Sequence, residues 1–317
     1  MKDITHRLIE GPAGRIHVAE QGDGPLVLLV HGFPESWYSW RHQLPALAAA
    51  GYRAVAMDVR GYGRSVKPAR VAAYRMLELV ADCVAVVREL GGGPAVIAGH
   101  DWGSGVAAHS ALLRPDLFRA VALFSVPYAP RGPHRPADAF AAMGGEEEFY
   151  VSYFQEPGRA EAEIESDVRG WLAGCYAALS ADGPGESAFF LPAGGRLRDR
   201  WPKDALPSWL GEEDFEVYAD EFERTGLTGG LNRYRNVDRD WEDLAAWDGA
   251  PILQPSLFVA GAQDAGVRWL AGAIEAFPQT MPGLSGSHLI DGCGHWVQQE
   301  RPQEVNRLLT DWLATLP

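Results

Sequence analysis

Residues 94–114, PAVIAGHDWGSGVAAHSALLR, pass from an apolar run through a glycine-bracketed turn directly into a helical pattern. The run 94–100 has no polar face, so as a strand it must be covered on both sides, as in parallel sheets flanked by helices. The turn between strand and helix 103–114 is so short that the two must almost touch. Gly99, Gly103, Ser104 and Gly105 are small enough to allow that. Few architectures accommodate such a junction, and the rest of the chain agrees with it. Strands are expected at 15–21, 26–31, 53–58, 120–127, 256–264 and 287–291, and helices at 40–50, 74–90 and 302–315. This alternation predicts an α/β protein with a mostly parallel central sheet and helices on both faces.

From about 130 to 250 the alternation lapses. Stretches such as GEEEFYVSYFQEPG and GPGESAFFLPAGG read as helices joined by loops. At 317 residues the chain fits one large core with an insertion. The expected division is a core of 1–129 and 250–317 with a helical cap of 130–249. Such a cap would cover the C-terminal ends of the strands, where sheets of this kind bind ligands.

The turn itself has the frame of a nucleophile elbow, G-x-S-x-G, with Asp101 where the serine would stand. Amides at the helix N-terminus favour the anionic carboxylate. The plainer reading is an Asp that only caps the helix, and the rest of the chain argues against it. In this arrangement an acid and then a histidine follow the nucleophile. Asp264 follows the strand in LFVAGAQD, and His295 lies in DGCGHWVQQERP after the last strand. Asp291 is nearer His295 in sequence but lacks the expected spacing, so Asp264 is the preferred acid. HGFP, 31–34, ends an apolar strand and offers a second backbone donor. The N–H groups of Phe33 and Trp102 would form the oxyanion hole.

A carboxylate at the elbow attacks a strained or activated saturated carbon and becomes an ester of the protein. Water activated by His295, oriented by Asp264, would then attack that ester carbonyl. The chemistry narrows to epoxides or alkyl halides. A departing halide wants N–H donors, which the Trp102 indole offers; an epoxide oxygen wants an acidic O–H. Tyr153 and Tyr234 lie in the cap segment, where position alone would make both of them packing residues.

Taken together, HGFPESWYSW, DVRGYGRS, GHDWGS, YFQEPG, the Y-R-N of LNRYRN, and GCGHWVQQERP resemble, in order, the epoxide hydrolases of the α/β-hydrolase fold, most closely the soluble type. The resemblance spans about residues 5 to 315, and YFQEPG separates the chain from dehalogenases that share the elbow. It implies that Asp101 is the nucleophile, His295 the base and Asp264 its orienting acid. It makes Tyr153 and Tyr234 paired donors to the epoxide oxygen, and lines the substrate site with Phe33, Pro34, Trp102 and both tyrosines. It implies a cis Phe33–Pro34 bond that turns the Phe33 N–H into the site. Arg233 departs from the pattern, standing where a bulky apolar or aromatic residue is usual. The expected reaction is epoxide plus water to a vicinal diol. Haloalkane dehalogenation is the alternative; a non-catalytic ligand-binding member would have lost a catalytic residue, and here each position is filled.

Composition bounds the partners. A formal charge of −14 opposes binding to nucleic acid or anionic membranes. Cys83, Cys175 and Cys293 have neither disulfide nor metal-ligand spacing, and no apolar leader opens the chain, so a cytoplasmic location is expected. Cys293 stands two residues before His295 but lacks companion ligands, and reads as structural. No metal or organic cofactor is expected. The partners are an epoxide and water, and a homodimer is compatible with the sequence.

Overall fold

The structure, a computed structural model, describes residues 4–192, 194–203 and 206–317. Eight of its strands form one sheet: β1 (Thr5–Gly11), β2 (Gly14–Gln21), β3 (Leu26–Val30), β4 (Arg53–Met57), β5 (Ala95–His100), β6 (Phe118–Phe124), β9 (Ser256–Gly261) and β10 (Leu284–Ile290). Two short strands, β7 (Glu148–Phe149) and β8 (Phe190–Leu191), pair with each other elsewhere. Strand order in the sheet is β1-β2-β4-β3-β5-β6-β9-β10. β1 to β2 and β2 to β4 are antiparallel, and every other pairing is parallel. The antiparallel β1–β2 hairpin extends one edge of the sheet.

The central strands carry the apolar runs that the sequence shows. Every residue of β5 and β9 is buried. Side chains alternate between two cores: Ile97, Val121 and Phe258 face one, and Val96, Ala122 and Val259 the other. Burying each large aliphatic side chain contributes about 1.5–3 kcal/mol, and because both faces are covered the central strands have no solvent-facing side. α1 (Gln43–Ala49), α2 (Met76–Glu89), α3 (Trp102–Leu113) and the C-terminal helix Pro302–Leu313 pack on those faces. The C-terminal helix is amphipathic, with Val305, Leu309, Trp312 and Leu313 turned inward.

Between β6 and β9 come α4 (Pro136–Gly144), α5 (Tyr150–Tyr153), α6 (Arg159–Glu165), α7 (Val168–Ala178), α8 (Glu212–Thr225), α9 (Thr228–Tyr234) and α10 (Val237–Asp243). This segment is helical as its composition predicts, and the β7–β8 pair is an addition that the sequence reading lacks. It is bound to the sheet's C-terminal loops by buried hydrogen bonds. The Tyr176 hydroxyl donates to the Pro34 carbonyl at 2.6 Å, the Trp296 indole N–H to the Tyr176 carbonyl at 3.0 Å, and the His295 N–H to the Leu179 carbonyl at 2.9 Å. Among the described residues no helix is long and apolar enough to cross a membrane.

Candidate active site

The elbow is as tight as its glycines imply. Asp101 sits at φ 53°, ψ −122°, a left-handed conformation that side-chain-bearing residues seldom adopt. A Cβ on Gly99 would stand 1.9 Å from the Gly103 carbonyl oxygen, and one on Gly32 2.4 Å from the Asp101 carboxylate. Only glycine fits at either position. The strain is held by β5 behind it and α3 ahead, and it turns the Asp101 side chain out of the sheet toward the loops.

Three groups meet that side chain. The Phe33 N–H donates to Oδ1 at 2.8 Å, and the Phe33–Pro34 bond is cis. Trp102 opens α3 beside the same carboxylate and supplies the helix's first amide. His295 Nε2 stands 3.6 Å from Oδ2. On its other side, His295 Nδ1 is 3.1 Å from Asp264 Oδ2. Asp264 caps the helix Ala265–Trp269, accepting from the Gly266 N–H at 2.9 Å. Asp291, the rival acid by sequence, is exposed and makes no pair with His295.

Charge follows from this arrangement. Burial alone would lower the His295 pKa, but Asp264 and then Asp101 outweigh it, and the imidazole is held well above its usual value. Burial likewise works to raise the pKa of Asp264, while His295, Ser125 and the Gly266 amide bring it below the ordinary carboxylate range. With Asp101 ionised, His295 is therefore a cation between two carboxylates.

A second buried network fixes the loops carrying these groups. Glu35 Oε2 accepts from the Gly32 N–H at 3.0 Å and faces His100 Nδ1 at 2.8 Å. Glu35 Oε1 accepts from the side-chain amides of Gln298 and Gln299, each at 2.9 Å. His100 Nε2 lies 2.8 Å from the His295 carbonyl. One carboxylate thus joins the loop of Phe33, the strand leading to Asp101 and the loop of His295. The QQ pair of GCGHWVQQERP and the Glu of HGFPE serve that purpose.

Above Asp101 lies an aromatic cavity of about 50 Å³. Phe33, Asp101 and His295 form its floor; Tyr150, Phe154, Trp171, Trp201 and Tyr234 are among its walls. Tyr234 is where the sequence puts it, its ring edge-on to Phe33 at 5.3 Å and to Trp102 at 5.0 Å. Pro34 and Trp102, expected at the substrate, are not among the residues lining the cavity. Pro34 instead gives its carbonyl to Tyr176. The face of Trp102 lies beneath the Arg233 guanidinium, 4.7 Å from the ring centre.

Tyr153 requires a correction. It is buried, but its hydroxyl donates to Glu163 Oε2 at 2.7 Å, and the Arg159 guanidinium lies 4.4 Å over its ring. Glu163 also accepts from the amides of Leu197 and Arg198, so the phenol completes a carboxylate site on the far side of α5. It does not reach the cavity. Tyr150, one turn earlier, does, with its ring 5.9 Å from that of Tyr234. Neither the Tyr150 nor the Tyr234 hydroxyl donates to another described residue, so each can donate its proton to a ligand, while the Trp102 side chain engages the Tyr234 oxygen. Burial raises both phenol pKa values, with neighbouring Asp101 adding to the effect, so both stay protonated.

YFQEPG and YRN prove to be the fastening of these two phenols. Gln155 Nε2 donates to the carbonyls of Val151 and Tyr234, linking α5 to α9. Arg235 donates to both oxygens of Glu161, at 2.8 and 2.9 Å, and to the carbonyl of Phe154 at 3.0 Å. Arg233 is fixed by Asp240 and by the Tyr74 carbonyl, and points away from the cavity. Among the described residues there is no group of three or more His, Cys, Asp or Glu that could hold a metal.

Residues 25–302 match the family model described as alpha/beta hydrolase fold. Epoxide hydrolase A of Mycobacterium tuberculosis is 44% identical, over 98% of each chain, and epoxide hydrolase B of that organism 41% identical, over 98% of this chain and 99% of its own. Among solved structures, an epoxide hydrolase from an endophytic Streptomyces superposes with a TM-score of 0.98 at 68% identity, over 99% of this chain and 96% of the other. Epoxide hydrolase A from Mycobacterium thermoresistibile gives 0.94 at 44% identity, over 99% of both chains. The chain belongs to the epoxide hydrolases of the alpha/beta-hydrolase fold.

Proposed function

We propose that the enzyme converts an epoxide to a vicinal diol in two steps, with Asp101 as nucleophile and residues 130–249 acting as a cap over a core of 1–129 and 250–317. One carboxylate oxygen attacks a ring carbon, the C–O bond breaks, and the departing oxygen takes hydrogen bonds from Tyr150 and Tyr234. Both phenols resist ionisation, so each is a donor when the alkoxide forms. The product of this step is an ester of Asp101.

Esterification removes the negative charge at Asp101, one of the causes holding His295 protonated. The imidazolium then gives up its proton, which satisfies the alkoxide by way of solvent or the phenols, and becomes a base. It activates a water for attack on the ester carbonyl. The Phe33 N–H, already 2.8 Å from a carboxylate oxygen, serves the oxyanion of that second step, with the Trp102 amide beside it. Collapse of the tetrahedral species frees the diol and restores Asp101. The histidine is thus an acid-side ion before the first step and a base after it, timed by the chemistry itself.

The observation that carries this reading is the meeting of Asp101, His295 and two phenols that donate to no other described residue in one aromatic cavity. Among the described residues the cavity walls contain no Lys or Arg, which supports a neutral, apolar epoxide as substrate. Three buried free cysteines accord with a cytoplasmic enzyme. The mechanism is tested by one turnover with excess enzyme in ¹⁸O-water. Label is expected in the Asp101 carboxylate; label appearing first in the diol would mean direct attack by water.

A further inference from the structure

Ser125 follows the last residue of β6, between the strand that delivers Asp101 and the strand that delivers Asp264. It is completely buried and, with φ 68°, joins Asp101 as the second residue other than glycine with positive φ among those described. Its N–H is fixed on the Val259 carbonyl of β9 at 2.9 Å. That unusual backbone directs the hydroxyl between the acid and the base. Ser125 Oγ donates to Asp264 Oδ2 and lies 2.8 Å from His295 Nδ1.

The proton inventory fixes the roles. A serine hydroxyl has one proton, and Asp264 takes it. The oxygen facing Nδ1 is therefore an acceptor, so Nδ1 must be the protonated nitrogen of the ring. The Nδ1–H is shared between Ser125 Oγ at 2.8 Å and Asp264 Oδ2 at 3.1 Å, and serine is the nearer acceptor. With Nδ1 committed, Nε2 is the nitrogen left to take a proton from water. The carboxylate alone, at 3.1 Å, would hold the ring through a single long contact.

We infer that Ser125 is a positioning residue for the second step of the reaction, holding His295 in the tautomer and orientation that activate water on the Asp101 ester. The inference rests on the two-step reading above. The first step needs only the Asp101 anion and the phenols, and Ser125 touches none of them. Its loss should slow ester hydrolysis and leave ester formation alone.

The test uses the full-length enzyme and styrene oxide as a neutral aryl probe. Stopped-flow tryptophan fluorescence and quenched intact-protein mass spectrometry follow formation and decay of the adduct. In S125A, which retains the Cβ that the backbone already tolerates, formation should match wild type. Decay should slow about ten- to hundredfold, the loss of one hydrogen bond to a charged group. Slowing only the later step lowers kcat and KM together and preserves kcat/KM. S125G relaxes the positive φ yet also lacks the hydroxyl, so it should show the same slow decay; it replaces S125A as the test should that variant fail to fold. Decay at the wild-type rate in the folded variants, or a kcat/KM that falls with kcat, overturns the role of Ser125 while the adduct still supports the two-step reading. Absence of any Asp101 adduct in wild type overturns both.

Discussion

Exchanging one hydroxyl group at positions 150 and 153 separates the two tyrosines of α5. In Tyr150→Phe the ring keeps its packing, edge-on to Phe149 at 4.7 Å and to Phe154 at 5.7 Å, so stability should change by less than about 0.5 kcal/mol. What is lost is a donor to the developing alkoxide. Removing one such donor costs about 2.7–4 kcal/mol of transition-state stabilisation, or roughly 10²- to 10³-fold in rate. Tyr153→Phe reverses the pattern. Glu163 is nearly buried and loses a 2.7 Å hydrogen bond, though the amides of Leu197 and Arg198 remain. A bond to a charged group is worth about 1.5–3 kcal/mol, so urea denaturation should show a loss of that size. Ester formation, followed by stopped flow with styrene oxide, should stay within about twofold of wild type, since the Tyr153 hydroxyl lies outside the cavity. If Tyr153→Phe lost a hundredfold in ester formation while Tyr150→Phe kept its rate, the assignment made from the cavity would be wrong.

His295→Gln should form the ester and fail to hydrolyse it, so the intact protein gains the mass of one substrate; recovery of unmodified enzyme with full diol yield would contradict the base role. Hydrolysis of the preformed ester should accelerate with rising pH and level off below the pH at which His295 titrates in the free enzyme, because the ester removes the Asp101 charge that raises its pKa. Rates read by adduct decay across pH check this, and the reverse order would refute it. Stability should carry the same signature. A raised folded pKa stabilises the protein in full below the unfolded value of 6.5, and that contribution is lost as pH rises through the folded value. The depressed Asp264 acts oppositely: its contribution is present above 3.8 and lost as pH falls through its folded value. Arg233→Met strands the buried Asp240 carboxylate and should cost about 3–5 kcal/mol in chemical denaturation, with part recovered in Arg233→Met/Asp240→Leu.

Much of the frame was legible because local pattern and tertiary placement coincide there. β5 is apolar along its length because both its faces are covered, and the glycines after it mark a turn where a Cβ would strike backbone. The acid, too, could be told from its rival: Asp264 follows a buried strand, whereas Asp291 is exposed at the end of β10. That Tyr150 and not Tyr153 lines the cavity is hidden from the sequence for a physical reason. Positions 150 and 153 share a four-residue helix, and which phenol turns inward is decided by Glu163 and Arg159 on the following segment. The motif YFQEPG contains Tyr153 and so drew attention to it, although what the motif contributes is the Gln155 link between α5 and α9. Pro34 and Trp102 illustrate the same limit. Both lie beside the site in sequence, but the Pro34 carbonyl is taken by Tyr176 and the Trp102 ring by the Arg233 guanidinium. Ser125 gave no signal at all, since a positive φ on serine follows from the meeting of three strands and from nothing in its neighbours.

Of the thirteen described residues that wall the cavity, ten lie between 150 and 234, and the other three are Phe33, Asp101 and His295. Apart from the two phenols Tyr150 and Tyr234, the 150–234 stretch supplies only shape to the cavity, whereas the proposed nucleophile and base come from outside it. A lineage could explore new shapes of guest by drift at the other eight positions of that stretch while the proposed nucleophile, base and phenols stayed untouched. Laboratory evolution aimed at altered selectivity should accordingly gather its productive changes between 150 and 234 and find almost none at the elbow, where even a methyl group has nowhere to go.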